Sequence, residues 1–245
     1  MKKIIYIFCF SLFVCSACNK MLVEDVRSQV TGDYLNTTQG WQEGVNGVYG
    51  TLKNVFTGIE DNGIIPQITV FGTDTYTNGF DGGFKMINFY NSDLNPRTPV
   101  IRTNWNNLYI AINACNAIVD RAVNVTGLSG TLKNTRLAEI RFIRAEYYFL
   151  LVQLWGPVPL SLRETQSIIT DATRAPVKDV YDSVITDLNF AIENLPVTAS
   201  NYGRVTKPAA ENLLANVYLA RATSDAKQPD DYSKAADLAK GVIYN

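Results

Sequence analysis

The sequence of 245 residues contains no histidine. This absence excludes a Ser-His-Asp triad, a Cys-His dyad and every zinc site that uses an imidazole ligand. An enzyme built from this chain would depend on carboxylates or on a lysine or tyrosine base, and no recognisable pair of carboxylates stands out along the chain. Neither a P-loop nor a dinucleotide-binding fingerprint is present. We therefore expect no catalytic residue, no metal site and no cofactor.

The chain also lacks an excess of positive charge, and it has few cysteines. The chain has 22 Lys and Arg against 23 Asp and Glu, a net charge of −1. Nucleic-acid binding needs a basic face that neutralises phosphates, so we expect no nucleic-acid partner. Three of the four cysteines precede residue 19, and the fourth, Cys115, is predicted to be a small buried hydrophobe. We therefore expect no disulfide framework.

The N-terminus has no apolar run long enough to cross a membrane. Two lysines follow Met1, and the apolar run after them has about 14 residues, whereas a bilayer core needs roughly 20. A positive start, a short apolar stretch and then small residues are typical of a secretory signal. We interpret residues 1–17 as this signal and not as a transmembrane helix.

The end of the signal predicts a lipid anchor at Cys18. The letters "CSAC" place Ser16 and Ala17 directly before Cys18, which resembles the bacterial lipobox, where the cysteine after a small residue is acylated. Cys15 is a weaker candidate because bulky Val14 precedes it. Several acyl chains would make a durable anchor, since each buried methylene contributes about 0.8 kcal/mol. The alternative is ordinary cleavage near Ala17, which leaves Cys18 as a plain thiol.

Apolar residues recur at steps of three and four over much of the chain, and this spacing predicts helices. Six helices are expected to begin near Thr38, Asn104, Thr135, Pro176, Thr206 and Asp231. Residues 57–100 lack this period and are rich in Gly, Asn, Asp and Thr. They predict a long irregular insertion with a short strand at 64–71.

Several conspicuous side chains are expected to serve the fold. Tryptophans 41, 105 and 155 lie on apolar stripes and are predicted to belong to the core. Asn113 and Asn116 interrupt an apolar helix and are predicted to bond neighbouring backbone. Arg141 and Arg144 are predicted to form a buried ion pair with Glu139 or Glu146, because buried charges need partners.

Two stretches near the end, "LANVYLA" and "YSKAADLAKGV", resemble one tetratricopeptide unit. Small residues at those positions let paired helices approach closely, and stacked pairs bury a continuous core. The sequence therefore favours an all-α fold of tetratricopeptide-like helical repeats. A generic helical bundle is the alternative.

Several stretches together resemble the SusD/RagB family of nutrient-uptake lipoproteins of Bacteroidetes. In family order, they are "WQEGVNGVYGTL", "WNNLYIAINACNAIVD", "EIRFIRAEYYFLLVQLWGPVPL", "RAPVKDVYDSVITDLNFAIENLP" and "GRVTKPAAENLLANVYLAR". The resemblance implies tetratricopeptide-like helices with irregular insertions that build a ligand surface. It also implies a lid and receptor over a SusC-like TonB-dependent transporter in the outer membrane. Family members usually run to twice this length or more, so we expect the chain to be an N-terminal part that ends within a repeat.

A receptor of this kind needs aromatic rings and a few aimed polar groups, because rings pack on apolar C–H surfaces while polar groups bond hydroxyls or amides. The segment "FGTDTYTNGFDGGFKMINFYN" has that composition. The candidate ligand-binding residues are Asp74, Tyr76, Asn78, Phe80, Asp81, Phe84 and Tyr90. The alternative for each ring is that it anchors the insertion on the helices.

The resulting hypothesis divides the chain into a signal, a tether over 18–37 and a helical domain over 38–245. The domain would capture an oligosaccharide or a peptide at the outer membrane, to which the lipid anchor holds it, and pass the nutrient to the transporter without chemistry. One alternative is a periplasm-facing tetratricopeptide scaffold that binds only proteins. The other is an enzyme that acts on glycans through two carboxylates.

Overall fold

The structure, a computed structural model, describes residues 32–57, 65–77, 79, 80 and 82–244. The chain divides into two units after residue 34, and the second unit, residues 35–245, carries the fold described below. The signal peptide, Cys18 and most of the tether lie outside the described residues.

The described part of the chain contains eight α-helices and no named β-strand, which confirms the all-α prediction. The helices are α1 (Thr38–Phe56), α2 (Ile65–Thr69), α3 (Lys85–Phe89), α4 (Pro99–Arg121), α5 (Gly130–Trp155), α6 (Val177–Asn194), α7 (Lys207–Ala222) and α8 (Asp231–Tyr244). From α4 onward each helix packs on the next one along the chain, and α1 packs on α4. The six long helices are those that the apolar spacing predicts.

Two long helices begin earlier than their apolar stripes suggest. Helix α4 begins at Pro99 and not near Asn104, because proline at the first position presets the helical φ. Helix α5 begins at Gly130, since the hydroxyl of Ser129 accepts a hydrogen bond from the Leu132 amide at 3.2 Å. In both cases the first turn is stabilised by a cap or a proline, which the apolar period does not report.

The predicted strand at 64–71 is wrong. The structure places the short helix α2 at this position, with Ile65 buried and Pro66 in the first turn. Proline cannot donate to a strand ladder but suits the first turn of a helix, where its missing N–H has no intrahelical partner in any case.

The core lies where α1, α4, α5 and α6 meet. Trp41 is fully buried, as predicted, and its indole N–H donates to the Ile118 carbonyl at 2.9 Å. Cys115 is also fully buried, and burial raises the pKa of its thiol to about 12. The thiol therefore stays protonated at neutral pH and packs as a small hydrophobe, as the sequence predicts.

A buried ion pair joins α5 to α6. The Arg144 guanidinium donates to both carboxylate oxygens of Asp187, at 2.7 and 2.8 Å, and each side chain is only 5% exposed. A third bond from Arg144 reaches the side-chain oxygen of Asn116 on α4 at 2.8 Å. The prediction of a buried pair is confirmed for Arg144, but the predicted partners, Glu139 and Glu146, are wrong. Arg141 also faces Asp187, at 3.9 Å, and is half-buried.

The partner differs because the facing helix supplies it. Glu139 is occupied by Arg136 and Arg204, each at 2.6 Å. Glu146 has no ion-pair partner among the described residues, and burial raises the pKa of its carboxyl group. Asp187 is 43 positions away from Arg144, so no helical spacing could have indicated it.

A polar stripe on α4 holds the segment 159–165, called the strap here, through its backbone. The stripe consists of Tyr109, Asn113, Asn116 and Asp120, at steps of four, three and four. The bonds run from Tyr109 to the Pro159 carbonyl (2.8 Å), from Asn116 to the Ser161 and Arg163 carbonyls (2.9 and 3.1 Å), from the Thr165 amide to Asn113 (2.7 Å), and from the Glu164 amide to Asp120 (2.8 Å). The prediction that Asn113 and Asn116 bond neighbouring backbone is confirmed.

We expect Asp187→Asn to destabilise the protein by about 3–5 kcal/mol, because the change leaves the Arg144 guanidinium buried without a counter-charge. Urea denaturation followed by circular dichroism measures this loss as a shift of the midpoint at constant slope.

The matched control is Arg163→Gln. Arg163 is 85% exposed and lies 3.4 Å from Asp120, and an exposed pair of this kind contributes about 0–1 kcal/mol. Equal losses of unfolding free energy in the two variants would contradict the conclusion that the buried pair stabilises the protein more than the exposed pair.

Candidate functional site

The candidate ligand-binding residues lie on a surface segment between α2 and α4. The side chains of Asp74, Tyr76, Phe80 and Tyr90 are exposed, Phe80 to 92%, and Phe84 is half-buried. Asn78 and Asp81 lie outside the described residues. The described rings are therefore available to a ligand, and whether they bind one stays a prediction.

This segment folds back on itself although it has little regular structure. The Asn88 amide group donates to the Thr77 hydroxyl at 2.7 Å, and the Tyr90 hydroxyl donates to the Gly72 carbonyl at 3.2 Å. The Lys85 ammonium group donates to the Phe80 carbonyl and lies 5.3 Å from the centre of its ring. These contacts fix the side chains around α3 to one another.

The backbone at both ends of α3 is left-handed. Phe84 has φ 59° and Tyr90 has φ 48°, a region that bulky residues rarely adopt. Gly72 has φ +79°, and a Cβ atom there would lie 2.6 Å from the Ile87 carbonyl oxygen. Only glycine at position 72 therefore allows the close approach that the Tyr90 hydrogen bond requires.

Two adjoining cavities lie beside this segment and share Pro96. The first, called the loop cavity, has a volume of about 710 Å³ and is lined by Met86, Asp93, Asn95, Pro96, Arg97, Thr98 and Pro99. The second, called the tryptophan cavity, has a volume of about 240 Å³ and is lined by Pro96, Ile101, Arg102, Trp105, Trp155 and Arg174. Together they connect the irregular segment to the ends of two long helices.

Two half-buried indole rings form the wall of the tryptophan cavity. The ring centres of Trp105 and Trp155 are 5.4 Å apart, with an edge-to-face angle of 78°. Tyr109, one turn further along α4, lies 4.9 Å from Trp105. Both rings pack against the core, as the sequence predicts, but sequence reasoning missed that they also form this wall. Their positions near helix ends could have indicated this wall, since Trp155 is the last residue of α5 and Trp105 lies in the second turn of α4.

The connection after α5 positions the polar groups of the tryptophan cavity. The Arg174 guanidinium donates to the Pro157 carbonyl at 2.6 Å and lies 5.7 Å from the centre of the Trp105 ring. A backbone bridge between Ala175 and Val158, at 2.8 Å, holds Arg174 beside the chain reversal at Gly156. The cation is therefore presented next to the aromatic wall.

The two cavities combine groups that can contact a ligand. Among the described residues, no group of three or more Cys, Asp or Glu side chains is placed to hold a metal ion. Burial raises the pKa of Tyr109, so its hydroxyl stays protonated and donates to the strap. The cavities offer aromatic faces, guanidinium groups and backbone carbonyls, which can stack on a ligand and hydrogen-bond to it.

Residues 36–219, more than half of the chain, match the profile of a SusD-like family described as "Starch-binding associating with outer membrane". The chain belongs to this SusD-like family. Membership confirms the family resemblance stated from the sequence motifs.

A SusD-like protein of Bacteroides ovatus is 35% identical to the chain over 149 residues, which cover 58% of the chain and 27% of that relative. The crystal structure of a SusD superfamily protein from Parabacteroides distasonis is 27% identical, with a TM-score of 0.69. The match covers 88% of this chain and 45% of the chain in that crystal structure. The structure of a laminarin-binding SusD-like protein is 22% identical, with a TM-score of 0.65. The match covers 84% of this chain and 43% of that protein's chain. These likenesses confirm a helical, tetratricopeptide-like fold.

The chain spans between 27% and 47% of the length of the curated relatives that it matches. In the described part of the chain, every helix is too short or too polar to cross a bilayer.

We expect Gly72→Ala to loosen the segment around α3, because alanine at this φ and this distance from the Ile87 carbonyl costs about 1–3 kcal/mol. The amides of Ile87 and Tyr90, which bond to Phe84 and Met86, should exchange with solvent faster. Hydrogen exchange followed by mass spectrometry measures the change.

Gly79→Ala is the matched control, because a Cβ at Gly79 meets no atom within 4 Å and its φ lies outside the left-handed region. If exchange rises equally in both variants, the close approach at Gly72 does not hold the segment.

Proposed function

We propose that the protein is a lipid-anchored receptor that captures an oligosaccharide and delivers it to a SusC-like TonB-dependent transporter of the outer membrane. The observation that carries the proposal is the tryptophan cavity, found in a chain of the SusD-like family described as starch-binding. The exposed rings of Tyr76, Phe80 and Tyr90 on the segment around α3 offer further aromatic contacts. A peptide is the other ligand class that such a surface suits.

The chemistry of the two cavities supports a saccharide ligand. Sugar rings present apolar C–H faces that pack against aromatic side chains, while their hydroxyls need donors and acceptors. Trp105 and Trp155 offer the first kind of contact, and Asp93, Asn95 and Arg97 offer the second. The laminarin binding named for one structural relative fits this ligand class.

We propose binding without catalysis. Glycoside hydrolysis ordinarily uses two carboxyl groups on opposite sides of the scissile bond. Among the described residues that line the two cavities, Asp93 is the only one with a carboxyl group. The described lining of the two cavities therefore supplies one carboxyl group and not the pair that hydrolysis uses.

The anchor and the partner belong to the proposal as well. Cleavage after Ala17 and acylation of Cys18, with palmitate as one of the acyl chains, would tether the domain through residues 18–37. A receptor tethered on the outer face of the membrane meets large nutrients before they reach the pore. Its partner is then the transporter, and no nucleic acid is involved.

We expect calorimetry to detect binding of at least one neutral oligosaccharide from a panel of malto-, laminari- and xylogluco-oligosaccharides, with peptides titrated in parallel. Phe80→Ala and Trp155→Ala should each weaken that binding about tenfold, which corresponds to the loss of one aromatic contact of roughly 1.4 kcal/mol.

Tyr202→Ala is the matched control, since Tyr202 is a fully exposed ring in the connection between α6 and α7. Unchanged affinity in Phe80→Ala would reject the segment around α3, and unchanged affinity in Trp155→Ala would reject the tryptophan cavity. Cleavage of any oligosaccharide by the protein in the calorimeter would overturn the assignment as a receptor without catalysis.

We expect Cys18→Ala to abolish incorporation of labelled palmitate and to release the protein from the membrane fraction, because acylation needs the thiol at this position. Cys15→Ala is the control and should keep the label. In intact cells, external protease should degrade the acylated protein. Survival of the protein under protease would favour the periplasm-facing scaffold.

A further inference from the structure

The arginines of the chain fall into two groups. Seven of the ten arginines in the described residues form ion pairs with a carboxylate: Arg121, Arg136, Arg141, Arg144, Arg163, Arg204 and Arg221. The other three are Arg97, Arg102 and Arg174, and all three line the two adjoining cavities. Among the described residues, the guanidinium groups without an ion pair therefore all lie at the two cavities.

The three unpaired arginines are exposed, whereas six of the seven paired ones are buried or half-buried. Exposure alone does not prevent pairing, since Arg163 is 85% exposed and still pairs with Asp120. The residues that line the tryptophan cavity include two arginines and no carboxylate, and the one carboxylate of the loop cavity, Asp93, forms no ion pair with Arg97. The N-terminus of α4, which begins at Pro99 between the two cavities, adds a positive partial charge of its own.

The guanidinium groups keep free donors. Arg174 uses one N–H for the Pro157 carbonyl, whereas a guanidinium carries five N–H donors in a planar fork. The side chains of Arg97 and Arg102 donate to no protein acceptor among the described residues. Such forks match the paired oxygens of a carboxylate or a sulfate better than single hydroxyls.

We propose that the tryptophan cavity binds the anionic group of an acidic sugar, either the carboxylate of a uronic acid or a sulfate ester. The proposal rests on the proposed function and names its ligand class more closely. The sugar ring packs on Trp155 and Trp105, and its anion lies between Arg102 and Arg174. At about 240 Å³ the cavity is smaller than a pocket for a whole drug-sized ligand, so it takes one sugar unit while the chain continues into the loop cavity.

The test compares matched pairs of oligosaccharides by calorimetry. One pair is oligogalacturonate and its methyl ester, and the other is a sulfated galactan oligosaccharide and its desulfated form. We expect the acidic member of one pair to bind at least about tenfold more tightly, because charge-assisted bonds to arginine exceed neutral ones. The pair that shows the preference identifies the source of the anion. The preference should shrink as salt is raised, since screening weakens exposed charges.

Two variants locate the effect. Arg102→Gln and Arg174→Gln should each weaken binding of the acidic oligosaccharide about tenfold and weaken binding of the neutral one much less, because glutamine keeps hydrogen bonding but loses the charge. Arg163→Gln makes the same charge change outside the two cavities and should leave both affinities unchanged. A loss in Arg102→Gln and Arg174→Gln no larger than in Arg163→Gln would overturn the proposal.

The outcomes separate this inference from the receptor assignment. Equal affinity for the acidic and neutral members, or binding of neutral members alone, overturns the acidic ligand and leaves the glycan receptor intact. Binding of no glycan in either panel overturns both.

Discussion

The fold depends on how one buried guanidinium is satisfied. Burial removes the Arg144 guanidinium from water, and burying an isolated charge costs far more free energy than the net stability of a folded domain. Its bonds go to Asp187 on α6, to Asn116 on α4 and to the Leu162 carbonyl in the strap. A single side chain of α5 thereby fixes two helices and one irregular segment relative to one another. Removal of Asp187 leaves the charge unpaired, and removal of Asn116 leaves a buried N–H of the guanidinium without its acceptor, so the packing of these four segments is coupled.

The same network sets the geometry of the candidate site. Asn116 binds Arg144 with its oxygen and the strap with its nitrogen, so the ion pair and the path of the strap are coupled. The strap begins at Pro159, whose carbonyl receives the Tyr109 hydroxyl. Two residues earlier, the Pro157 carbonyl holds Arg174 beside Trp105. The aromatic wall and the cation of the tryptophan cavity therefore lie on a scaffold that begins in the core.

Sequence reasoning succeeded where the signal is local. The apolar stripes of the six long helices repeat within one segment, and Thr206 and Pro208 mark the start of α7 directly. It failed where the partner comes from another segment, as for Asp187, and where a helix is short, as for α2, whose five residues hold too little of the period. The fold-back that joins Gly72 to Tyr90 depends on a contact across 18 positions, and no composition rule reports it.

The candidate site shows the same limit in another form. Composition identified a segment rich in rings, and the exposure of Tyr76, Phe80 and Tyr90 fits a binding surface. The tryptophan cavity stayed hidden because Trp105 and Trp155 follow apolar stripes. A stripe shows which face of a helix is apolar, but it does not show where neighbouring helices stop covering that face. At the end of α5 the cover stops, and the ring that the period assigns to the core becomes a wall of the cavity.

The distribution of charge separates structural arginines from those at the site. Carboxylates are not scarce, since the chain has 23 acidic residues for 22 basic ones, so a shortage of partners does not leave arginines unpaired. Buried guanidinium groups such as Arg144 must be paired because desolvation is costly. An exposed one carries no such requirement, yet Arg163 still pairs. In the described part of the chain, the three guanidinium groups without an ion pair are exposed and line two adjoining cavities, so folding does not require them at these positions. They lie where an aromatic wall and a helix N-terminus meet, which is the combination that a ligand with both an apolar face and a negative charge requires.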